Sequence, residues 1–262
     1  MNENYLPTAF EFNLQTRVKF GAGDAEKLPI YLKELGLKRI GIILDGALLN
    51  LEYPKKILKA IADQDFDAVN RWEYTFKGEP DYDLLENARS FFVAPSGSPS
   101  VDCFIGMGGG SVLDTAKGLA ILAVNEGPAI SYRGFPSNLN TPLPVIAVPT
   151  TAGTGSEVTY NASFIDRKNM IKMGINSLLN FPRLAILDPQ LLTTCPRRVA
   201  ISSGMDALVH TLESYVTLGA NPITRAFAKE AFSLLFNNLE KAVTTPDLEF
   251  LSKVQLGAYL GA

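Results

Sequence analysis

The feature that most constrains the fold is an alternation. Four short apolar runs, KRIGIILD (38–45), FDAVNRWEYTF (66–76), VDCFIGMG (101–108) and LPVIAVPT (143–150), are separated by longer segments whose apolar residues recur at helical spacing. Those segments are YPKKILKAIAD (53–63), DYDLLENARSFFV (81–93) and SVLDTAKGLAILAV (111–124). Strands alternating with helices point to α/β layering around a mainly parallel sheet, because a parallel connection needs a crossover long enough to hold a helix. Ahead of these runs, FEFNLQTRVKFGAG (10–23) reads as a strand and turn, followed by a helix from about Asp24 to Leu35.

The pattern then changes. EVTYNASFID and MIKMGIN flank the polar Arg167-Lys168-Asn169 and read as a β-hairpin standing off the main sheet, and LAILDP (184–189) adds one more strand. Beyond Pro196 the chain becomes helical, with segments near 199–217, 222–242 and 248–262 and with Pro222 and Pro246 in their turns. A boundary near 190–196 therefore divides the chain into an α/β part, 1–193, and an all-helical part, 194–262. The last helix keeps its apolar period to Ala262 without a clear C-cap, the pattern expected of a chain truncated inside an element.

Composition removes several classes of function. With 47% hydrophobic and 19% charged residues and a formal net charge of −3, the chain is neither disordered nor a basic nucleic-acid binder. The N-terminus lacks a basic and apolar leader, and no run reaches the roughly 18 apolar residues of a membrane span. Cys103 and Cys195 form no CxxC, which fits a reducing cytoplasm. The one histidine, His210, excludes any mechanism that draws two histidines from this chain. There is no GxSxG, no GxxxxGK[ST], and no Tyr followed four residues later by Lys.

Three motifs could carry chemistry. Gly106-Met107-Gly108-Gly109-Gly110-Ser111 lies between an apolar strand and an amphipathic helix, where backbone amides and the helix dipole favour a phosphate. Any strand-to-helix turn also needs glycine, so the cluster alone is weak evidence. Ser111 is expected as the N-cap, with Asp114 completing a capping-box-like pair. The placement departs from the Rossmann fingerprint, whose glycines follow the first strand and precede the acidic residue. The second motif, Pro149 to Glu157, supplies hydroxyls and glycine amides after another apolar strand, where ribose and phosphate oxygens could be bound. In the third, Asp206 and His210 stand four apart on a helix, so their side chains share a face and could share a metal ion. Two ligands leave such a site incomplete, since a catalytic ion takes three or more from the protein.

Taken together, GMGGGSVLDTAKGLA, PVIAVPTTAGTGSEVT and SGMDALVHTLESYVT resemble the iron-containing (group III) alcohol dehydrogenase family from about residue 10 onward. The resemblance implies a dehydroquinate synthase-like fold, an α/β nucleotide domain and a helical domain with the active site between them. It implies that Gly109, Gly110, Ser111 and Asp114 cradle the diphosphate of NAD. Thr150, Thr151, Thr154 and Ser156 would line its adenine, ribose and nicotinamide side, and Lys172 would reach it from the hairpin. Asp45 would accept from the adenosine ribose hydroxyls and repel a 2′-phosphate, favouring NAD over NADP. Asp206 and His210 would be the catalytic pair and the first two ligands of a divalent metal, Fe2+ or Zn2+, with two further histidines lying past Ala262.

The expected activity is an NAD-linked, metal-dependent alcohol dehydrogenase or aldehyde reductase acting on a diol, a primary alcohol or a sugar acid. The expected protein is a cytoplasmic homodimer whose partner is that small molecule, with neither nucleic acid nor membrane. A dehydroquinate synthase-like lyase and a nucleotide-binding remnant without turnover are the alternatives. Gly78-Glu79-Pro80-Asp81 departs from the Pro-Asn-Pro-type segment of many members, which leaves the substrate open.

Overall fold

The computed structural model describes residues 9–262; residues 1–8, part of the stretch on which the expectation of no leader rests, lie outside the described residues. Among the described residues, ten strands and seven α-helices follow in chain order: β1 (Arg17–Phe20), α1 (Leu28–Glu34), β2 (Arg39–Asp45), α2 (Glu52–Ala62), β3 (Ala68–Tyr74), α3 (Tyr82–Phe92), β4 (Cys103–Gly108) and α4 (Gly110–Leu122). Then come β5 (Val145–Pro149), β6 (Asn161–Ala162), β7 (Ile165–Asp166), β8 (Ile171–Lys172), β9 (Ile175–Asn176), β10 (Leu184–Leu187), α5 (Arg197–Val216), α6 (Pro222–Thr244) and α7 (Leu248–Gly261). Six strands form one sheet in the order β1-β10-β5-β4-β2-β3, every neighbouring pair parallel.

The apolar runs become central strands because both of their faces are covered. Ile40, Ile42 and Leu44 of β2 and Cys103, Ile105 and Met107 of β4 pack with Leu28, Leu32, Ile57 and Ile61 of α1 and α2. Ile43 and Phe104 point the other way, into a core with Leu85 and Phe92 of α3 and Leu119 of α4. The two sets alternate along each strand, as the twofold period of a pleated strand requires.

The expected hairpin is present, broken into two short antiparallel pairs, β6 with β9 and β7 with β8, around the turn at Arg167 to Met170. It is anchored on α3 and α4: the Tyr82 hydroxyl donates to the Met173 carbonyl at 2.7 Å, Phe164 packs on the Tyr82 ring at 5.5 Å between centroids, and the Ser163 amide donates to Asp114 of α4. The helical part packs α5, α6 and α7 around Ala207, Leu235, Leu251, Val254 and Ala258. Helix α6 begins with Asn221 and Thr224 in a reciprocal capping box and Pro222 at its first turn, so its start is locally encoded.

One topological detail positions the site. From β2 the chain moves outward to β3 and then returns to β4 on the opposite side of β2. In an open parallel sheet this reversal opens a crevice at the carboxyl ends of the two flanking strands, and ligands bind there. Asp45 ends β2 and Gly108 ends β4, so the two sequence motifs flank that crevice.

Candidate active site

A cleft of about 810 Å³ opens at this point. It collects Asp45, Gly109, Gly110, Ser111, Asp114, Thr151, Thr154, Ser156 and Lys172 from the α/β part, and Asp206 and His210 from α5. Thr150 is the exception among the candidates. It is buried, and its N–H donates to the Gly108 carbonyl at 3.0 Å, extending the β4–β5 ladder behind the cleft wall. A separate, largely apolar cavity of about 340 Å³ beside Phe227 and Tyr259 holds none of the candidates.

The diphosphate end of the cleft is built by the turn into α4. Gly109, not Ser111, is the N-cap: its carbonyl accepts from the Val112 and Leu113 amides at 3.0 and 3.2 Å, and no side chain caps the helix. The expected capping box is therefore absent, because Asp114 is committed elsewhere. Its Oδ1 accepts from the Ser156 hydroxyl at 2.6 Å and its Oδ2 from the Ser163 amide at 3.0 Å. The first-turn amides of α4 are thus left facing the cleft without a side-chain acceptor, the arrangement that suits an anion. Gly110 is required by close approach, since a Cβ there would lie 2.7 Å from Thr154 Oγ1.

Asp45 and Tyr74 are register partners at the ends of β2 and β3. One Asp45 oxygen accepts from the Ala47 amide at 2.9 Å, which fixes the carboxylate at the cleft edge. Burial pushes the Tyr74 hydroxyl up to about 12, so it stays a neutral donor on the cleft wall. Across the mouth, Lys172 Nζ reaches a Glu79 carboxylate oxygen at 2.7 Å, joining the loop after β3 to the hairpin.

Beneath the cleft lies a charge cluster that the sequence reading missed. Lys117 is fully buried and donates to the main-chain carbonyls of Ser156 at 2.9 Å, Thr159 at 3.3 Å and Asn161, with Asp114 Oδ1 3.3 Å away. Burial lowers its pKa, opposed by the neighbouring Asp114. Glu157, also buried, is pushed up to about 7 by burial, against the pull of its own backbone amide and Lys117. The available signal was a lysine one turn after Asp114 on an otherwise apolar helix.

Asp206 and His210 face the cleft from successive turns of α5, with Oδ1 and Nε2 3.8 Å apart and both side chains partly exposed. These donor types suit a divalent ion. Among the described residues, however, no group of three or more His, Cys, Asp or Glu is placed to hold one, so the residues present do not complete a metal site.

Comparison with known proteins agrees with this architecture. Residues 15–189 match the iron-containing alcohol dehydrogenase model, and residues 200–262 match the C-terminal model of the Fe-containing alcohol dehydrogenase family. The chain is 33% identical over 241 residues to an NAD-dependent methanol dehydrogenase of Bacillus methanolicus, covering 92% of this chain and 62% of that protein. It is 31% identical over 258 residues to alcohol dehydrogenase 4 of Schizosaccharomyces pombe, covering 98% and 58%. Among solved structures, sulfoacetaldehyde reductase from Bifidobacterium kashiwanohense in complex with NAD+ superposes with a TM-score of 0.88 at 26% identity, over 97% of this chain and 66% of that one. The chain thus spans about three fifths of the length of the two sequence relatives. With the matched family model covering both sequence motifs of the α/β part, and the C-terminal model covering Asp206 and His210, the chain belongs to the iron-containing alcohol dehydrogenase family.

Proposed function

We propose that the protein is an NAD-linked alcohol dehydrogenase or aldehyde reductase that moves a hydride between the carbinol carbon of a small alcohol and the nicotinamide ring. One observation carries this reading: Asp45, the uncapped start of α4, the hydroxyl-bearing loop 151–156 and the Asp206–His210 face of α5 converge on one cleft at the switch point of a parallel sheet.

In this reading the amides around Gly109, Gly110 and Ser111 receive the diphosphate, and Asp114 braces the adjoining loop. Asp45 accepts from the adenosine ribose hydroxyls, and its charge opposes a 2′-phosphate, selecting NAD over NADP. Thr151, Thr154 and Ser156 order the ribose and nicotinamide half, with Thr150 holding the strand end behind them and Lys172 closing from the hairpin. NAD held there would supply the acceptor for the carbinol hydrogen and its electron pair, the hydroxyl proton passing to water. The cofactor carries the hydride, and the protein supplies orientation and exclusion of water.

Asp206 and His210 are proposed as the catalytic pair at the substrate end and as two ligands of a divalent ion, Fe2+ or Zn2+. By themselves they fall short of the ligand number that holds one. The proposed substrate is a primary alcohol, a diol or a sugar acid. The proposed division is a nucleotide domain at 1–193 and a metal and substrate domain at 194–262, in a cytoplasmic homodimer.

Fluorescence titration with NADH and NADPH tests the cofactor assignment. NADH is expected to bind more tightly than NADPH, with the preference reduced about tenfold or more by Asp45→Ala. Absence of NADH binding overturns the assignment. NAD that binds but is reduced by no alcohol would support a lyase of the dehydroquinate synthase type instead.

A further inference from the structure

We propose that Lys117 is a positioning residue, a buried cation that clamps three main-chain carbonyls of the Ser156–Asn161 segment and thereby sets where the ribose and nicotinamide half of the cofactor lies. This rests on the NAD reading above and adds to it a residue that touches neither cofactor nor substrate.

The geometry is specific. An ammonium has three protons, and Lys117 Nζ faces three carbonyls, those of Ser156, Thr159 and Asn161. These belong to the loop leaving β5 and to the first arm of the hairpin, which carry Ser156, Thr159, Asn161 and Ser163 to the cleft. Asp114, one turn earlier on α4, holds the same segment through the Ser156 hydroxyl and the Ser163 amide. The two residues form an ion pair at 3.3 Å, so the segment is gripped by both members of one buried pair.

Packing does not call for a charge here. The flanking positions Ala116, Gly118, Leu119 and Ala120 are apolar and enclosed, and a methionine would fill the same volume. Taking an ammonium out of water is costly, and a whole buried ion pair replaced by well-packed apolar side chains is often the more stable arrangement. What methionine cannot do is satisfy three inward-facing carbonyls, which would then seek other partners and shift the segment. The lysine therefore contributes geometry. The Gly109–Ser111 turn is fixed by α4 itself, so the diphosphate end is independent of the clamp, whereas the nicotinamide end depends on it.

The test compares NADH with ADP, which carries the diphosphate but lacks the nicotinamide riboside. In Lys117→Met the ratio of NADH to ADP affinity is expected to fall about tenfold, with ADP affinity within about twofold of wild type and a cooperative melt retained. An unchanged ratio in a folded variant, whether both probes weaken equally or neither does, overturns the proposal. A wild-type protein that binds neither probe overturns the NAD reading instead. If Lys117→Met does not fold, Lys117→Gln keeps two N–H donors for the three carbonyls and is expected to show an intermediate ratio. A protein that folds with neither substitution is held together by Lys117 rather than tuned by it, which also overturns the proposal.

Discussion

The Asp114 carboxylate and the Ser156 hydroxyl meet at 2.6 Å, joining the helix that follows the glycine-rich turn to the loop that follows β5. With the Ser163 amide on its other oxygen and Lys117 Nζ beside it, Asp114 is the joint through which the cleft walls are held in register. Asp114→Ala leaves the buried ammonium without its carboxylate and the Ser163 amide without its acceptor. Breaking one side of a buried pair costs about 3–5 kcal/mol. Urea unfolding is expected to show a loss of that order, and a loss under about 1 kcal/mol would mean that the joint carries little load.

Glu157 sets a pH dependence. Its carboxyl is raised from 4.5 to about 7 in the fold, chiefly by burial. Between those values the folded state holds the proton more strongly than the unfolded chain. Its contribution is therefore fully present below about pH 4.5, declines as pH rises, and is gone above about 7. Glu157→Gln removes this slope. The variant is expected to gain on wild type by about 2–4 kcal/mol from pH 4.5 to pH 7 and to stay level with it beyond. Parallel stability profiles for the two proteins across that window would contradict the assignment.

Gly153 is where the loop after β5 touches α5. A Cβ there would lie 2.6 Å from Ser203 Cβ and 2.8 Å from the Ser203 carbonyl oxygen, and the second contact is with backbone that cannot rotate away. Gly153→Ala must push α5 outward. Overpacking of this kind costs about 1–3 kcal/mol. Because Asp206 and His210 ride on the same helix, the displacement is expected to alter the His210 imidazole resonances in NMR spectra. Unchanged stability and unchanged resonances would show that the loop yields instead.

Glu79 and Lys172 make the converse case. Their side chains pair at 2.7 Å but are 47% and 56% exposed, so the pair contributes about 0–1 kcal/mol to stability. Glu79→Gln is expected to leave the melting temperature within about a degree of wild type. The same change removes an anion from the cleft and releases the lysine, so NADH affinity is expected to rise a few-fold at low salt, with the gain shrinking as salt screens it. A tighter complex at high salt than at low salt would contradict this electrostatic account.

Much of this arrangement is written locally in the chain. The apolar runs at 38–45 and 101–108 become strands because nothing but a sheet covered on both faces can bury them, and the glycine-rich turn must follow the second of them. The position of Asp45 follows from the same logic. Lys117 is different. Its neighbours in sequence place it on an apolar helix face, yet its partners are carbonyls roughly forty residues away, created only when the hairpin folds back over α4. The expected N-cap at Ser111 gives way to Gly109 for a related reason. A serine near a helix start is a good local cap, but with the glycine-rich turn closed the helix begins at Gly110, and Asp114 is drawn to the distant Ser156 and Ser163.

The Asp206–His210 pair yields the last expectation. Two donors one turn apart on a helix, Oδ1 and Nε2 at 3.8 Å, can close around one ion, and both remain accessible from the cleft. No third His, Cys, Asp or Glu is placed beside them among the described residues, so an ion held by this pair would take its other ligands from water. A site of this kind exchanges its metal readily. Calorimetric titration of the 262-residue chain with Zn2+ is expected to show weak, reversible binding that Asp206→Ala or His210→Ala removes, and dialysis against a chelator is expected to strip it. NADH affinity should be unaffected by either substitution, since neither residue belongs to the diphosphate or ribose end of the cleft. One zinc ion per chain surviving dialysis would show that further ligands are recruited, and metal lost equally with and without His210 would remove the histidine from the ligand set.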